Sequence, residues 1–299
     1  METQPRRRAQ SAAEFGPLIG RMFPDADREQ ALATYRPRPT DVIISPFGKC
    51  GTTWLQQTFH CLRTRGDMGF DDISRVTPWI ETSKTLGLDI NAEQRADPRG
   101  FKSHCAYDDL PKGARYVVSL RDPKDALVSM YKFMEGWFME PGAVPIEQFA
   151  FGWAASGRYW RHLTSWWAER DNPSVLLFSY ENMCADPAGH IARLAAFCGI
   201  PLDDALLKLT LEHSSLAFML AHKEKFDDLM MRQKSEELCN LPPGGDSAKV
   251  RKGGAGGYRA VLSPEVVAML DDTWTKAAAP ATGFASYADL EEALKLPTR

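Results

Sequence analysis

The stretch Pro46 to Trp54 reads PFGKCGTTW and constrains the fold more than any other part of the sequence. It follows a short apolar run at residues 41–45 and precedes a segment with helical periodicity. A strand, a glycine-containing turn with a lysine, and a helix that begins on hydroxyl residues are typical of sites for phosphate-like anions. In loops that bind ATP or GTP the lysine follows the last glycine, whereas here Lys49 precedes Gly51. The sequence therefore predicts an anion site of a different kind.

The overall composition places limits on the possible partners of the chain. Its 299 residues carry 44% hydrophobic and 25% charged residues and a net charge of −3, which is ordinary for a globular protein and argues against nucleic acid as a partner. No apolar run approaches the roughly 18 residues of a membrane span, and the arginines near the N-terminus are not followed by an apolar region as in a secretory signal. We expect residues 1–15 to form a mobile tail.

The six cysteines have neither the spacing of metal ligands nor a CxxC pair. Together with the absence of a secretory signal, this pattern predicts reduced thiols in a cytoplasmic protein without a metal site.

Short apolar runs alternate with helical patterns along the chain. Strands are expected at 41–45, 100–104, 115–120 and 174–180, and helices at 52–65, 123–133, 146–170, 187–198, 203–211 and 264–277. This alternation predicts a three-layer α/β fold with a central parallel sheet, as one domain over residues 1–299. The polar, glycine-rich stretch 233–257 is expected to be a mobile loop or lid.

The ends of the predicted strands carry unusual polar residues. In open parallel sheets, ligands bind beyond the carboxyl ends of the strands. After the first strand, the backbone N–H groups of Gly51, Thr52 and Thr53, the two hydroxyl groups and Lys49 can bind an oxyanion. The alternative for this loop is an ordinary capped helix with Trp54 in the core.

Lys102 and His104 lie two residues apart at the end of the second strand, so their side chains are expected on the same side. A neutral imidazole can remove a proton there while the lysine stabilises negative charge. The alternative is that His104 is only a polar residue at a strand end.

Two further stretches contain possible phosphate ligands. Arg121 ends the third strand and Ser129 lies on the following helix, so the pair could hold a second phosphate; an ion pair of Arg121 with Asp122 or Asp125 is an equal alternative. The stretch RKGGAGGYR at residues 251–259 combines cations with a glycine-rich backbone, although solvated loops often have the same composition.

Taken together, these residues resemble the cytosolic sulfotransferase family, which transfers a sulfonate from 3′-phosphoadenosine 5′-phosphosulfate (PAPS) and releases 3′,5′-bisphosphoadenosine (PAP). The family signature Tyr-Pro-Lys-Ser-Gly-Thr-Thr-Trp is similar to residues 47–54, its Lys-x-His to residues 102–104 and its Tyr-Val-x-Arg-Asn-Pro-Lys-Asp-x-x-x-Ser to residues 116–129. Gly48 and Cys50 stand where the family usually has proline and serine. The resemblance implies a P-loop-like sulfotransferase fold.

The resemblance also implies roles for individual residues. His104 becomes the catalytic base, with Lys49 and Lys102 stabilising the developing charge. The residues implied in binding PAPS are Lys49, Cys50, Gly51, Thr52 and Thr53 on the 5′-phosphosulfate, Trp54, Tyr180 and Ser214 on adenine, and Arg121, Ser129, Arg251, Lys252 and Gly253 on the 3′-phosphate. Cys50 contributes chiefly its backbone, and its thiol either faces this site or packs in the core.

The acceptor is expected to be a small molecule with a hydroxyl or amine, with a phenol or hydrophobic alcohol favoured. The segment PWIE at residues 78–81 is similar to the family's acceptor-lining segment, and core packing remains an alternative for half of the aromatic residues nearby. The residues predicted to line the acceptor pocket are Phe47, Trp79, Tyr107, Phe133 and Trp137.

Two properties stay open at this point. The family's dimerisation motif is not matched at residues 259–268, so both a monomer and a homodimer are possible. The functional alternatives are a nucleotide kinase, which requires magnesium for turnover, and a non-catalytic nucleotide-binding module, which has no need of His104.

Overall fold

The structure is a computed structural model that describes residues 5–244 and 249–295. Along the chain, its strands and α-helices are α1 (Ala12–Met22), α2 (Asp25–Thr34), β1 (Val42–Ile44), α3 (Thr52–Thr64), α4 (Ile73–Val76), β2 (Gly100–Lys102), β3 (Arg115–Leu120), α5 (Pro123–Trp137), α6 (Ile146–Ala155), α7 (Arg158–Ala168), β4 (Val175–Ser179), α8 (Tyr180–Ala185), α9 (Pro187–Cys198), α10 (Asp204–His213), α11 (Leu216–Ala221), α12 (Leu229–Leu238), α13 (Pro264–Thr273), α14 (Ala279–Thr282) and α15 (Tyr287–Ala293).

The four strands form a parallel sheet in the order β2-β1-β3-β4, which confirms the predicted α/β fold. Ile44 of β1 pairs with Lys102 of β2 and with Val117 of β3, and Leu120 of β3 pairs with Ser179 of β4. The carboxyl ends of all four strands therefore meet at one edge of the sheet, and the residues that follow them can form one site.

Apolar side chains cover the sheet on both faces. Val42 and Ile44 pack with side chains of α3 and α9 on one face, whereas Ile43 between them packs with side chains of α5 and α7 on the other. This alternation follows from the period of two residues in a strand, and it gives the three layers expected of a parallel sheet. None of the helices in the described part of the chain is both long and apolar enough to cross a membrane.

The amino-terminal edge of the sheet holds a buried ion pair. Asp41 directly precedes β1 and Arg99 directly precedes β2, and the Arg99 guanidinium donates two hydrogen bonds to the Asp41 carboxylate, at 2.7 and 2.9 Å. The Tyr35 hydroxyl and the Arg38 backbone N–H also donate to this carboxylate. Both charges are buried, and their hydrogen bonds offset part of the cost of removing them from water.

Three segments differ from the expectations. The helix predicted over 146–170 is interrupted between α6 and α7, because Gly157 adopts a positive φ of 68°. In the segment 5–15, where a mobile tail is expected, Ala9 is 1% exposed, its N–H donates to the Phe138 carbonyl, and α1 begins at Ala12, while residues 5–7 are exposed; residues 1–4 lie outside the described residues. The first part of the expected 233–257 loop is helical, since α12 extends to Leu238; residues 245–248 lie outside the described residues.

Candidate active site at the carboxyl edge of the sheet

The loop between β1 and α3 presents unpartnered donors. Gly51 precedes α3 with a φ of 93°, and a Cβ there would lie 2.9 Å from the Tyr180 ring, so glycine satisfies both the backbone conformation and the close approach. The first intrahelical bond of α3 is Leu55 N–H to Gly51 O, which leaves the preceding N–H groups of the helix without a partner in the described structure. The buried Thr52 hydroxyl also has no partner there. These donors fit an oxyanion.

Arg121 follows β3 and connects two loops. Its Nη1 donates to the Lys49 carbonyl at 2.8 Å and its Nη2 to the Gly254 carbonyl at 3.2 Å, and its guanidinium lies 4.3 Å from the centre of the Tyr180 ring. Its buried Nε has no partner among the described residues. The described structure contains no ion pair of Arg121 with Asp122 or Asp125, and since carbonyls do not neutralise its charge, Arg121 can attract an anion.

The glycine-rich segment after residue 249 is docked on α5. The Asp125 carboxylate accepts hydrogen bonds from the backbone N–H groups of Gly256 and Tyr258, and a Cβ at Gly253 would lie 3.1 Å from Leu216. Arg251 and Lys252, predicted to bind a phosphate, are exposed at the start of this segment, and Ser129 is half-buried on α5. The structure thus brings this loop to the Arg121 side of the site.

The residues predicted to contact adenine lie on three different elements. The rings of Trp54 and Tyr180 are 5.9 Å apart and nearly perpendicular. Ser214, just after α10, is buried, and its hydroxyl donates to the Thr210 carbonyl at 2.6 Å. The Ser214 hydroxyl therefore already has an acceptor within its own helix.

His104 is held with one ring nitrogen open. Its Nδ1 lies 2.7 Å from the Pro46 carbonyl, which can only accept, so Nδ1 carries the proton and Nε2 has a free lone pair. The buried carboxylate of Glu81 accepts from the His104 N–H at 2.7 Å and from the Ser103 hydroxyl at 3.0 Å. Burial, and then the charge of Lys102, lower the pKa of His104 well below its usual range. The imidazole is thus neutral at neutral pH, with the lone pair of Nε2 available to accept a proton.

Two lysines at this edge of the sheet lie on aromatic surfaces, and the charge of one of them, Lys102, acts on His104. The Lys102 Nζ lies 3.9 Å from the centre of the Trp79 ring, and the Lys49 Nζ lies 4.2 Å from the centre of the Phe133 ring. Burial lowers the pKa of Lys102 to about 8, against the opposing effect of Asp228. Burial, and then other nearby lysine charges, lower the pKa of Lys49 to about 7. Both ammonium groups gain from an anion beside them, because it favours their charged forms.

Sequence reasoning missed the buried carboxylate at this site. Asp228 lies just before α12; its Oδ1 is 2.5 Å from the Nζ of Lys249 and 3.9 Å from the Nζ of Lys102. Burial alone raises the pKa of Asp228, but the charges of Lys102 and Lys249 outweigh it and hold that pKa below its usual range. Asp227 and Asp228 together look like ordinary helix-start residues, so no pattern in the sequence distinguished the second one.

The predicted acceptor residues fall into two groups. Trp79 lies 5.0 Å from the His104 ring, and Phe133 and Trp137 pack against the same apolar cluster as Trp79. These three rings are continuous with the lysines and His104, so they can line an acceptor pocket.

Phe47 and Tyr107 lie elsewhere. Phe47 packs against the rings of Trp153 and Tyr159, on α6 and α7. Tyr107 packs against Tyr116, which lies near the amino-terminal start of β3, far from the rim. The structure therefore does not place Tyr107 or Phe47 with Trp79, Phe133 and Trp137; aromatic identity alone does not distinguish a pocket from the core.

The thiol of Cys50 points into the core. It is 1% exposed, and burial raises its pKa to about 12 despite the nearby Arg121. Its backbone carbonyl accepts a hydrogen bond from the Ser119 hydroxyl. Of the two alternatives for this side chain, the structure therefore has the packed one. In the described residues, no group of three or more His, Cys, Asp or Glu side chains is arranged to hold a metal ion.

Comparisons with known proteins identify the family of the chain. The sequence profile of the family described as "Sulfotransferase domain" matches residues 39–281. Sulfotransferase 1B1 of Canis lupus familiaris is 28% identical over 210 residues, which cover 65% of this chain and 71% of the relative. Cytosolic sulfotransferase 17 of Arabidopsis thaliana is 29% identical over a region that covers 79% of this chain and 74% of the relative. Luciferin sulfotransferase of Photinus pyralis is 26% identical over a region that covers 86% of this chain and 76% of the relative.

Solved structures with the same fold include nucleotide complexes. Retinol dehydratase in complex with androsterone and PAP superposes with a TM-score of 0.67 at 19% identity, over 90% of this chain and 94% of the other. A mouse sulfotransferase complexed with PAP has a TM-score of 0.66 at 19% identity, over 92% of this chain and 96% of the other. At this identity the likeness establishes the fold.

Proposed function

The chain belongs to the sulfotransferase family, and on that premise we propose that it transfers a sulfonate from PAPS to a hydroxyl or amine of a small, apolar acceptor. The observation that carries the proposal is the geometry of His104. Its Nδ1–H is bonded to the Pro46 carbonyl, its Nε2 is open, and the charge of the buried Lys102 acts on it. A module that only binds a nucleotide has no use for an oriented neutral base.

The proposed cosubstrate site uses the unpartnered donors described above. The N–H groups at the start of α3, the Thr52 hydroxyl and Lys49 would hold the 5′-phosphosulfate, with the Cys50 backbone in the same loop. Arg121, whose Nε is unpartnered, would bind the 3′-phosphate together with Ser129, Arg251, Lys252 and Gly253. Trp54, Tyr180 and Ser214 would surround the adenine. The PAP complexes among the structural neighbours support this assignment.

In the proposed reaction, His104 Nε2 accepts the proton of the acceptor hydroxyl. The acceptor oxygen then forms its bond to sulfur while the bond between sulfur and the bridging oxygen breaks, and PAP keeps that oxygen. Lys49 and Lys102 stabilise the charge that develops on the bridging oxygen and on the sulfonate. The basicity of His104 is modest because its pKa is lowered, so we infer that its main contribution is a correctly oriented lone pair next to the acceptor.

The acceptor class follows from the wall beside His104. Trp79, Phe133 and Trp137, with Phe23 and Met134 in the same cluster, offer apolar and aromatic surface to the acceptor. The androsterone and retinol complexes of the structural neighbours show apolar alcohols bound to this fold and support the same class here. We also propose a cytoplasmic location, supported by the plant relative named as a cytosolic sulfotransferase.

The test is incubation with sulfur-labelled PAPS and a panel of phenols, steroids, amines and lipid alcohols. We expect label in at least one apolar phenol or alcohol, with release of one PAP for each sulfonate transferred. A protein that binds PAP but labels no member of the panel would contradict the proposed acceptor class. A protein that does not bind PAP would contradict the cosubstrate assignment.

A further inference from the structure

The Asp228 carboxylate lies between a lysine of the active site and a lysine of the glycine-rich segment. Its Oδ1 lies 2.5 Å from the Nζ of Lys249, 3.9 Å from the Nζ of Lys102 and 3.5 Å from the hydroxyl of Ser74. Asp228 and Lys102 are both 2% exposed. A buried charge of this kind persists only where opposite charges and hydrogen bonds compensate its desolvation.

The backbone of Asp228 indicates that this contact is specific. Asp228 has a φ of 50°, in the left-handed region that few residues other than glycine adopt. It also occupies the position before the first turn of α12, where an aspartate normally accepts a hydrogen bond from the helix N–H groups. Here no such bond is formed, and the carboxylate faces the two lysines instead. The residue thus forgoes the usual capping interaction in order to contact them.

The segment that carries Asp228 is fixed from a second element. The carboxylate of Asp72, just before α4, accepts from the backbone N–H of Met230 at 2.9 Å, and the Arg232 N–H donates to the Asp228 carbonyl. Lys249 begins the described part of the segment that continues to Arg251 and Lys252. The carboxylate therefore links a fixed turn, the catalytic lysine and the glycine-rich segment.

We propose that Asp228 is a positioning residue for sulfonate transfer: it keeps Lys102 charged and in place, and it ties the glycine-rich segment to the active site through Lys249. The proposal rests on the proposed function for its meaning in catalysis. The charged and titratable groups that act on Lys102 are Asp228, Lys249, Glu81, Asp72, Lys49 and His104.

The two partners of Asp228 have opposite effects on Lys102. The Asp228 charge favours the ammonium form, whereas the Lys249 charge disfavours it. Asp228→Asn removes the negative charge but keeps a side chain that tolerates the left-handed backbone. It should therefore lower the pKa of Lys102. Lys249→Met should raise the pKa of Lys102, because it removes a like charge and the Asp228 carboxylate then no longer pairs with Lys249.

The test is an NMR titration of the free protein labelled with ¹³C-lysine, in which the Lys102 resonance is assigned by its loss in Lys102→Met. We expect Asp228→Asn to lower the midpoint by about one pH unit and Lys249→Met to raise it. Asp227→Asn is the matched control. The Asp227 carboxylate is next in sequence to Asp228 but pairs with Arg232, so this substitution should leave the Lys102 midpoint unchanged. An unchanged midpoint in Asp228→Asn, or shifts of the same sign in both variants, would overturn the proposal.

Catalysis provides a second readout. The alkaline limb of kcat/KM for PAPS should move with the Lys102 midpoint, because this ratio reports the free enzyme. A one-unit downward shift from about 8 corresponds to a roughly threefold loss at about pH 7.5 in Asp228→Asn. If Asp228→Asn does not fold, the test rests on Lys249→Met. A Lys102 midpoint that does not rise in Lys249→Met then overturns the proposal. Because the NMR titration needs no turnover, failure of the proposed function would not affect its result.

Discussion

At the amino-terminal edge of the sheet the Asp41 carboxylate accepts four hydrogen bonds, two of them from Arg99. At the carboxyl edge three lysines, Lys49, Lys102 and Lys249, act on the carboxylate of Asp228. The first edge is internally complete. The second leaves donors without a partner in the described structure, among them the Thr52 hydroxyl and the Arg121 Nε. Unpaired buried donors and excess positive charge destabilise a folded protein, and a bound anion relieves both. The comparison teaches that charge is matched by hydrogen bonds within the fold at one edge, whereas at the other it is left available for the anion that we propose binds there.

The largest effect is expected at the carboxyl edge, from removal of the proposed base, His104. His104→Ala should lower kcat by roughly 10²–10⁴-fold, because the acceptor proton loses its oriented acceptor group. Affinity for PAP should change little, since the His104 ring is bonded to the Pro46 carbonyl and is not one of the donors at the start of α3 that would hold the anion. Steady-state kinetics and calorimetry measure the two effects separately. A variant that keeps more than a tenth of the wild-type turnover would exclude His104 as the base.

Substitution at the amino-terminal edge should lower the stability of the fold and leave ligand binding unchanged. Arg99→Met leaves the Asp41 charge buried without its main partner, and we expect the free energy of unfolding to fall by about 3–5 kcal/mol. Affinity for PAP per folded molecule should be unchanged, because Arg99 lies at the far end of the strands. Glu93→Gln, which breaks the exposed ion pair of Arg38 at the same edge, is the control and should have little effect on unfolding. A large loss of PAP affinity in Arg99→Met would contradict the claim that this edge contributes to stability and not to binding.

The exposed cations of the glycine-rich segment should contribute to binding alone. Arg251→Ala should weaken PAP by about tenfold or more, because a charge-assisted contact with the 3′-phosphate is lost. Adenosine 5′-phosphosulfate, which lacks that phosphate, should be affected far less. Calorimetry with both ligands decides the matter, and equal losses for the two would remove Arg251 from the 3′-phosphate site.

The lysines of the carboxyl edge should also affect how stability depends on pH. The pKa of Lys49 is lowered to about 7, so between about pH 7 and pH 9 the unfolded state holds a proton that the folded state has released. Stability of the free protein should therefore gain a contribution that rises with pH across this window. Lys49→Met should lose that contribution, which shows as a less positive slope of Tm against pH. Equal slopes in both proteins would mean that Lys49 keeps its ordinary pKa.

The smallest effect is expected at Cys50. Its buried thiol, with a pKa raised to about 12, should not react with a small alkylating agent in the free enzyme, whereas the exposed Cys184 should. Mass spectrometry of the labelled peptides distinguishes the two sites. Rapid labelling of Cys50 that PAP suppresses would place the thiol in the anion site instead.

The sequence predicts those parts of the site whose residues lie close together along the chain. The strand, Gly51 and the hydroxyls at the start of α3 lie within one short stretch, so their spacing alone indicates an anion loop. The parts that it missed depend on tertiary contacts. Asp228 lies 126 residues after Lys102 and meets it only in the folded chain, where Asp72 binds the start of α12. The packing of Tyr107 against Tyr116, apart from Trp79, was equally absent from the sequence pattern, because only the fold decides which aromatic rings lie together.

The central claim is that the unpaired charge of the carboxyl edge exists to receive the anions of PAPS. Its most direct test is calorimetry of PAP binding at about pH 8 in buffers of different ionisation enthalpy, which counts the protons taken up on binding. Lys49, with a pKa of about 7, is mostly neutral in the free protein at this pH, and Lys102, with a pKa of about 8, is half charged. A bound anion raises both pKa values, so we predict uptake of about one proton per PAP, reduced in Lys49→Met. Tight binding without proton uptake, or no binding at all, would contradict the account.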